Sequence, residues 1–341
     1  MTSRDRALAC LVAVLWGVNF LAIRATLDHL PPFFSAGLRF LVLAVPVVLL
    51  VPRPAVPLRW LLLYGAGFGV AQFAFLYLAL TTGMPTGLAS LVLQSSAPFT
   101  VVLGAVLLRE RLSGRQVLGT VVAVAGMGLI AWERAHAAAL LPVVLTLLAG
   151  LGWAFGNLGS RLAAPPDPLR LTLWMAVVPV VPLLGLSAVL EGPGTGWRAL
   201  AGTFSARGWP ALAGLAYTVL LATVVGSGLW TQLMARNPAG VVAPFSLLVP
   251  VVGIGSAWAV LGEVPGWGAV VGGLVVVSGV LLGATGGREG RGAAVPTREL
   301  QPAQPAWTGL GTTLCAHDVV PRSFLARCAH TTRPGAATPP R

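Results

Sequence analysis

Between Arg59 and Arg109 the chain runs for 49 residues without one charged side chain. A bilayer core of about 30 Å is crossed by about 20 apolar residues of helix, so this stretch is too long for one crossing and sufficient for two. The segment Thr81-Thr82-Gly83-Met84-Pro85-Thr86-Gly87 divides it with turn-forming residues. Hydrocarbon holds no water to pair a bare N–H or C=O, and a helix satisfies its backbone internally. Such a run therefore predicts a pair of membrane helices.

The pattern continues along most of the 341 residues. Apolar runs at about 7–27, 32–51, 60–80, 87–108, 114–132, 139–160, 169–190, 209–232, 238–262 and 266–284 predict an all-α membrane protein of ten transmembrane helices. Breaks between them are short, as at Asp28 to Pro31 and Pro52-Arg53-Pro54; Glu191 to Gly208 reads as the longest internal loop. Composition agrees, with 56% hydrophobic and 9% charged residues. Soluble domains carry roughly 25% charged residues, and a chain this poor in charge has too few to cover a surface facing water. Arg4 and Arg6 precede the uncharged run from Ala7 to Ile23, which reads as a retained first helix because no cleavage site and polar mature domain follow.

A net charge of +12 would suit a nucleic-acid partner, but its distribution does not. All 22 basic residues are Arg, most of them between apolar runs and not on one continuous face. With a cytoplasmic N-terminus, 13 arginines fall in inner segments (Arg4, Arg6, Arg53, Arg59, Arg109, Arg111, Arg115, Arg161, Arg170, Arg236, Arg288, Arg291 and Arg298). Only three, Arg134, Arg198 and Arg207, fall outside. The positive-inside rule then places both termini in the cytoplasm.

Spacings repeat along the chain. Pro98 to Gly114 and Pro250 to Gly266 are both 16 residues; Trp16 to Arg24 and Trp153 to Arg161 are both 8. Pro46 in the second run has Pro179 and Pro182 as counterparts in the seventh. These matches suggest two five-helix repeats, residues 1–134 and 135–284. Five is odd, so the second repeat enters the membrane from the opposite side, a plan found in many carriers. Residues 285–341 are rich in Pro, Arg, Thr, Ala and Gly, and are expected to form a disordered cytoplasmic tail.

Several segments, in order, carry a family resemblance. They are Leu15-Trp16-Gly17-Val18-Asn19-Phe20, Leu30-Pro31-Pro32 with Gly37-Leu38-Arg39-Phe40, and Gln72-Phe73-Ala74-Phe75. Gly83 to Gln94 and Glu110 to Gln116 follow, and then Val242 to Gly253, the best match of the second half. Together they resemble the EamA-type branch of the drug/metabolite transporter superfamily, and within it the O-acetylserine/cysteine exporters, over about residues 7–284. The resemblance implies ten helices in an inverted repeat, a plasma-membrane location, alternating access, and export of small amino-acid-like metabolites. An unrelated small metabolite or drug is the alternative cargo, and a structural or receptor-like membrane protein the alternative class.

Polar and helix-breaking residues at membrane depth are the candidates for a solute site. Pro98 and Pro250 each remove a backbone donor and break the helix near its middle, which either lines a central cavity or only shapes packing. Asn19, Gln72, Gln94 and Asn157 can donate and accept, as a zwitterion requires, or can bond between helices. Ser95 sits just before Pro98 and can bond back to its own helix. Arg39 lies about 11 Å into its span at 1.5 Å per residue, where it either attracts a substrate carboxylate or snorkels to the interface. Trp16 and Trp153 either form an aromatic wall or pack in the core. Gly152/Gly156, Gly268/Gly272 and Gly279/Gly283 have the spacing of close helix packing, with a monomer or homodimer as the expected state.

No Asp, Glu or His falls in the middle of a span, so the usual proton relay of a coupled carrier is missing, and Glu110 and Glu263 read as caps near helix ends. With no Lys there is no Walker-type phosphate loop. No cofactor and no enzymatic nucleophile–base pair is expected. The three cysteines, Cys10, Cys315 and Cys328, form no disulfide framework, and Cys315-Ala316-His317 with Cys328-Ala329-His330 lacks a zinc-finger spacing, so no metal is expected. The topology is testable: a reporter fused after Arg288 is expected in the cytoplasm, and its appearance outside would overturn the assigned orientation.

Overall fold

The computed structural model describes residues 2–109, 112–136, 140–205, 207–237 and 242–286. Glu110 and nearly all of the tail beyond residue 285, with its Cys and His pairs, lie outside them. The described residues are all-helical, without a strand. The helices are α1 (Ser3–Leu27), α2 (Pro32–Leu50), α3 (Leu58–Thr81), α4 (Thr86–Leu108), α5 (Gly114–His136) and α6 (Leu140–Ala163). Then follow α7 (Pro168–Glu191), α8 (Thr195–Gly202), α9 (Trp209–Leu233), α10 (Phe245–Leu261) and α11 (Trp267–Gly286). Among the described residues, eight helices are long and apolar enough to cross a membrane, and Phe245–Leu261 and Trp267–Leu282 are shorter apolar helices. The chain is a multi-pass membrane protein whose outward faces are apolar, as at Leu50 (79% exposed), Val181 (79%) and Trp267 (83%).

Two sequence expectations change in detail. α1 begins at Ser3, upstream of the apolar run, because Thr2 and Asp5 form a capping box at its start. The 191–208 loop contains helix α8, anchored by Trp197 edge-on to Phe34 with ring centroids 5.0 Å apart.

Small residues set the helix seams. α5 packs along α11, where a Cβ at Gly126 would come within 2.7 Å of the Gly272 carbonyl oxygen. α6 packs on α3, where a Cβ at Gly67 would come within 2.5 Å of the Gly156 nitrogen. The glycines at four-residue spacing therefore serve internal contacts at Gly152, Gly156, Gly272 and Gly279.

Irregular turns interrupt the long helices. Gly65–Ala71 of α3, Ser187–Glu191 at the end of α7 and Tyr217–Ser227 of α9 are π-helical. A 3-10 turn, Leu93–Ser95, precedes the α-helical Ser96–Leu108, in which Pro98 is the third residue. Another, Ala243–Leu247, precedes Leu248–Leu261, with Pro250 again third. Each proline lacks the N–H that would bond four residues back, so the chain tightens just upstream. Pro46, by contrast, lies within an unbroken α2, whereas residues 176–179 of α7 form turns.

Helix starts at one end of the bundle are capped from a distance. α2 and α4 follow Pro31 and Pro85, which have no side-chain oxygen to cap them. Glu191 accepts instead from the N–H groups of Phe33 (2.6 Å) and Phe34 (3.0 Å). Glu263 accepts from Thr86 and Gly87, both at 3.0 Å. Each carboxylate adjoins a left-handed glycine that turns the chain, Gly192 (φ 95) and Gly262 (φ 68). Glu133 lies at the start of α11, where a Cβ on Gly268 would come within 2.6 Å of its Oε2. Glu263→Ala removes two charge-assisted bonds and is expected to cost about 2 kcal/mol, with Glu263→Gln costing about half. Thermal unfolding in detergent measures both; an unchanged midpoint for Glu263→Ala would show that this cap does not hold α4.

Candidate functional site

Arg39 is a buried cation, 6% exposed, in the stretch Phe34 to Phe40 where α2 is buried all round. Its guanidinium lies 4.0 Å from the Phe73 ring centroid and 5.2 Å from that of Phe40. Nη2 donates to Thr223 Oγ1 at 3.0 Å, and Tyr77 is a polar neighbour. Nε and Nη1 are buried and have no partner. Among the described residues no carboxylate pairs with it. Arg24 behaves differently: it pairs with Asp28 at 3.3 Å, about half exposed near the end of α1.

Neighbouring helices bring further unpaired groups. Thr223 belongs to the π-helical stretch of α9 and donates to the Thr218 carbonyl at 2.7 Å. The same stretch is tied to α1, since Trp16 Nε1 donates to the Ala222 carbonyl at 3.0 Å and the Tyr217 hydroxyl to the Leu15 carbonyl at 3.1 Å. Trp16 also meets Trp230 at a tilt, with ring centroids 5.2 Å apart. Asn19 follows Trp16 by three residues and so shares its side of α1. Its Oδ1 is buried without a partner, as are Gln72 Oε1 beside Phe73, Ser35 Oγ and Thr218 Oγ1. Buried polar atoms are almost always paired in proteins. Arg39 thus has free donors, and Asn19 of α1 and Gln72 of α3 have free acceptors, the functional groups that complement a carboxylate and an ammonium.

A second group lies between α4 and α6. Asn157 Nδ2 donates to Thr100 Oγ1 at 3.0 Å, and Thr100 donates to the Ser96 carbonyl at 2.6 Å. Ser95 is fully buried against Gly150, its Oγ unpaired, so the back-bond to its own helix does not form. Gln94, half-buried, and Pro98, buried, belong to the same irregular part of α4. Trp153 meets Phe68 edge-on at 5.7 Å, and Phe68 meets Phe73 edge-on at 5.9 Å. An aromatic chain thus joins this group to the ring under Arg39. Pro250 is buried on α10, whose Val249 and Val252 flank Gly17 of α1 and whose Gly253 meets Ser90 of α4.

Thr223, Thr218, Phe73 and Tyr77 were not among the site candidates read from the sequence. The available signal was the need of Arg39 for partners; π-helical turns leave no sequence pattern that would have chosen them. Cavities of ≈ 200 Å³ and ≈ 420 Å³ flank Glu263 at the capped end, and Arg39 lines neither. Among the described residues no three His, Cys, Asp or Glu side chains gather to hold a metal ion.

The model of the EamA-like transporter family matches residues 6–132 and again 140–285. A protein of Escherichia coli (strain K12) named "Probable amino-acid metabolite efflux pump" is 41% identical over 269 residues, spanning 77% of this chain and 89% of its own. A protein of the same name from Salmonella typhimurium (strain LT2) is 39% identical over 301 residues, 86% of this chain and 99% of its own. A "Probable terminal-alkyne amino-acid exporter" of Streptantibioticus cattleyicolor is 30% identical over 285 residues, 80% of this chain and 90% of its own. A solved crystal structure, 19% identical, superposes with a TM-score of 0.56 over 86% of this chain and 100% of its own, a likeness of fold. With both halves of the chain matched and relatives alike over nearly their whole length, the chain belongs to the EamA-like transporter family.

Proposed function

We propose that this transporter exports small amino-acid-like metabolites across the plasma membrane by alternating access. The observation that carries the reading is Arg39, a buried cation with two unpaired nitrogens and, among the described residues, no carboxylate paired with it. Burying an uncompensated charge costs several kcal/mol, and a solute carboxylate offsets that cost. The amide oxygens of Asn19 and Gln72 receive the ammonium. Trp16 closes the α1 side of the site, and Gln94, Ser95, Pro98, Trp153 and Asn157 form its α4–α6 side. Pro250 and Pro98 mark the bends about which the helices open. The names of the relatives support an amino-acid cargo.

The architecture proposed is ten crossings in two inverted five-helix repeats, residues 1–134 and 135–284, with both termini cytoplasmic. α11 has 20 residues, or about 30 Å at 1.5 Å per residue, which suits a full crossing. Support for the repeat comes from paired irregularities. Each of α4 and α10 has a proline third after a 3-10 turn, and each of α3 and α9 has a π-helical stretch. Trp153 packs on the π-helical stretch of α3 and Trp16 on that of α9. In this orientation the ends capped by Glu191 and Glu263 face outward. The protein acts as a monomer or homodimer, without metal, cofactor or nucleic acid, and performs transport and not catalysis.

Proteoliposomes loaded with labelled cysteine, O-acetylserine or other amino acids test the reading, with and without a pH gradient. Saturable flux is expected, and Arg39→Ala is expected to lower it at least about tenfold at normal expression, the loss of one charge-assisted contact. Absence of flux for every amino-acid-like solute would reject the cargo; full activity of Arg39→Ala would reject the carboxylate contact.

A further inference from the structure

The orientation of the buried cation depends on a residue of the other half of the chain. A threonine hydroxyl has one hydrogen to give and two lone pairs. In an α-helix the hydrogen goes three or four residues back. Thr26, Thr120, Thr146 and Thr172 do this here, each bonding the carbonyl four residues earlier. Thr223 instead reaches five residues back, to Thr218 at 2.7 Å. That reach belongs to the wide turns of the π-helical stretch Tyr217–Ser227.

The consequence concerns Arg39. With its hydrogen committed to the Thr218 carbonyl, Thr223 has only lone pairs left to offer, and Nη2 of Arg39 takes one at 3.0 Å. Phe73 and Phe40 attract the guanidinium through their ring faces, a contact that tolerates rotation of the cation. The bond to Thr223 is directional. It uses one N–H of Nη2 and leaves Nε and Nη1, both buried and unpaired, for a ligand. π-helical turns inside α-helices occur often at functional sites, and here the turn supplies the acceptor.

We propose that Thr223 is a positioning residue for solute recognition: held by the π-helical turn of α9, it fixes the Arg39 guanidinium so that one of its unpaired nitrogens, Nε or Nη1, meets the carboxylate of the transported solute. The proposal rests on Arg39 as the carboxylate partner. It adds that discrimination for a carboxylate depends on a hydroxyl in the opposite repeat. Thr223 itself does not touch the solute.

The test compares the parent protein with Thr223→Val, which keeps the shape and loses the acceptor, and Thr223→Ser, which keeps the acceptor. KM and turnover are measured in proteoliposomes for cysteine, with cysteamine, the same molecule without its carboxyl group, as competitor. The parent is expected to prefer cysteine. Thr223→Val is expected to raise the KM for cysteine about tenfold with little change in turnover. Thr223→Ser is expected to stay within about twofold of the parent, and cysteamine competition to be the same in all three. If the parent discriminates and Thr223→Val keeps its KM, the positioning role alone is overturned. It is equally overturned if Thr223→Val weakens cysteine and cysteamine alike, or if Thr223→Ser fails to restore the parent KM. A parent that treats cysteine and cysteamine alike overturns the Arg39 contact and the positioning role with it.

Discussion

A polar group buried in hydrocarbon must find its partner inside the protein, because no water is there to replace it. The chain meets this constraint at its helix ends by unusual means. α2 and α4 start with prolines, which fit the first turn but bring no capping oxygen. Their free N–H groups are taken by Glu191 and Glu263, residues more than 150 positions away in the sequence. A negative charge at a helix N-terminus also meets the positive end of the helix dipole. The caps therefore do two things together: they satisfy the backbone, and they fasten the ends of α7 and α10 to the starts of α2 and α4.

At membrane depth the same constraint is met only in part. Asn157, Thr100 and Ser96 form a closed chain of hydrogen bonds between α6 and α4. Arg39, Asn19, Gln72 and Thr218 do not close theirs, and each has a buried atom unpaired. A fully satisfied polar network stabilises a bundle, and a half-satisfied one is costly. That cost is understandable where a passing solute supplies the missing partners. The aromatic chain from Trp153 through Phe68 ends at Phe73, the ring on which the Arg39 guanidinium rests.

Much of this was legible in the sequence, for a physical reason. Charge is excluded from hydrocarbon, so the gaps between arginines mark the helices, and α2, α3 and α4 lie within two residues of the expected 32–51, 60–80 and 87–108. Proline cannot donate, so the bends at Pro98 and Pro250 are written in the chain, and Glu263 was readable as an end cap. Glu191 was not, since its partners Phe33 and Phe34 are brought to it by the tertiary fold. Helix α8 was hidden in a glycine-rich loop, because what holds it is the packing of Trp197 on Phe34. The π-helical stretches of α3 and α9 were hidden as well: Gly65, Gly67 and Gly69 look like ordinary small-residue packing, and Thr218 and Thr223 like ordinary span residues.

Arg39 was conspicuous from the start, but the sequence left it between two fates, a solute contact and a snorkelling side chain. Burial under 10%, a seat on Phe73 and two unpaired nitrogens favour the solute contact. The most direct measurement is a structure of the protein with an amino-acid solute bound. The account predicts the solute carboxylate within about 3 Å of Nε or Nη1 of Arg39, with Nη2 still on Thr223. A solute bound elsewhere in the bundle, with those two nitrogens still unpaired, would contradict it.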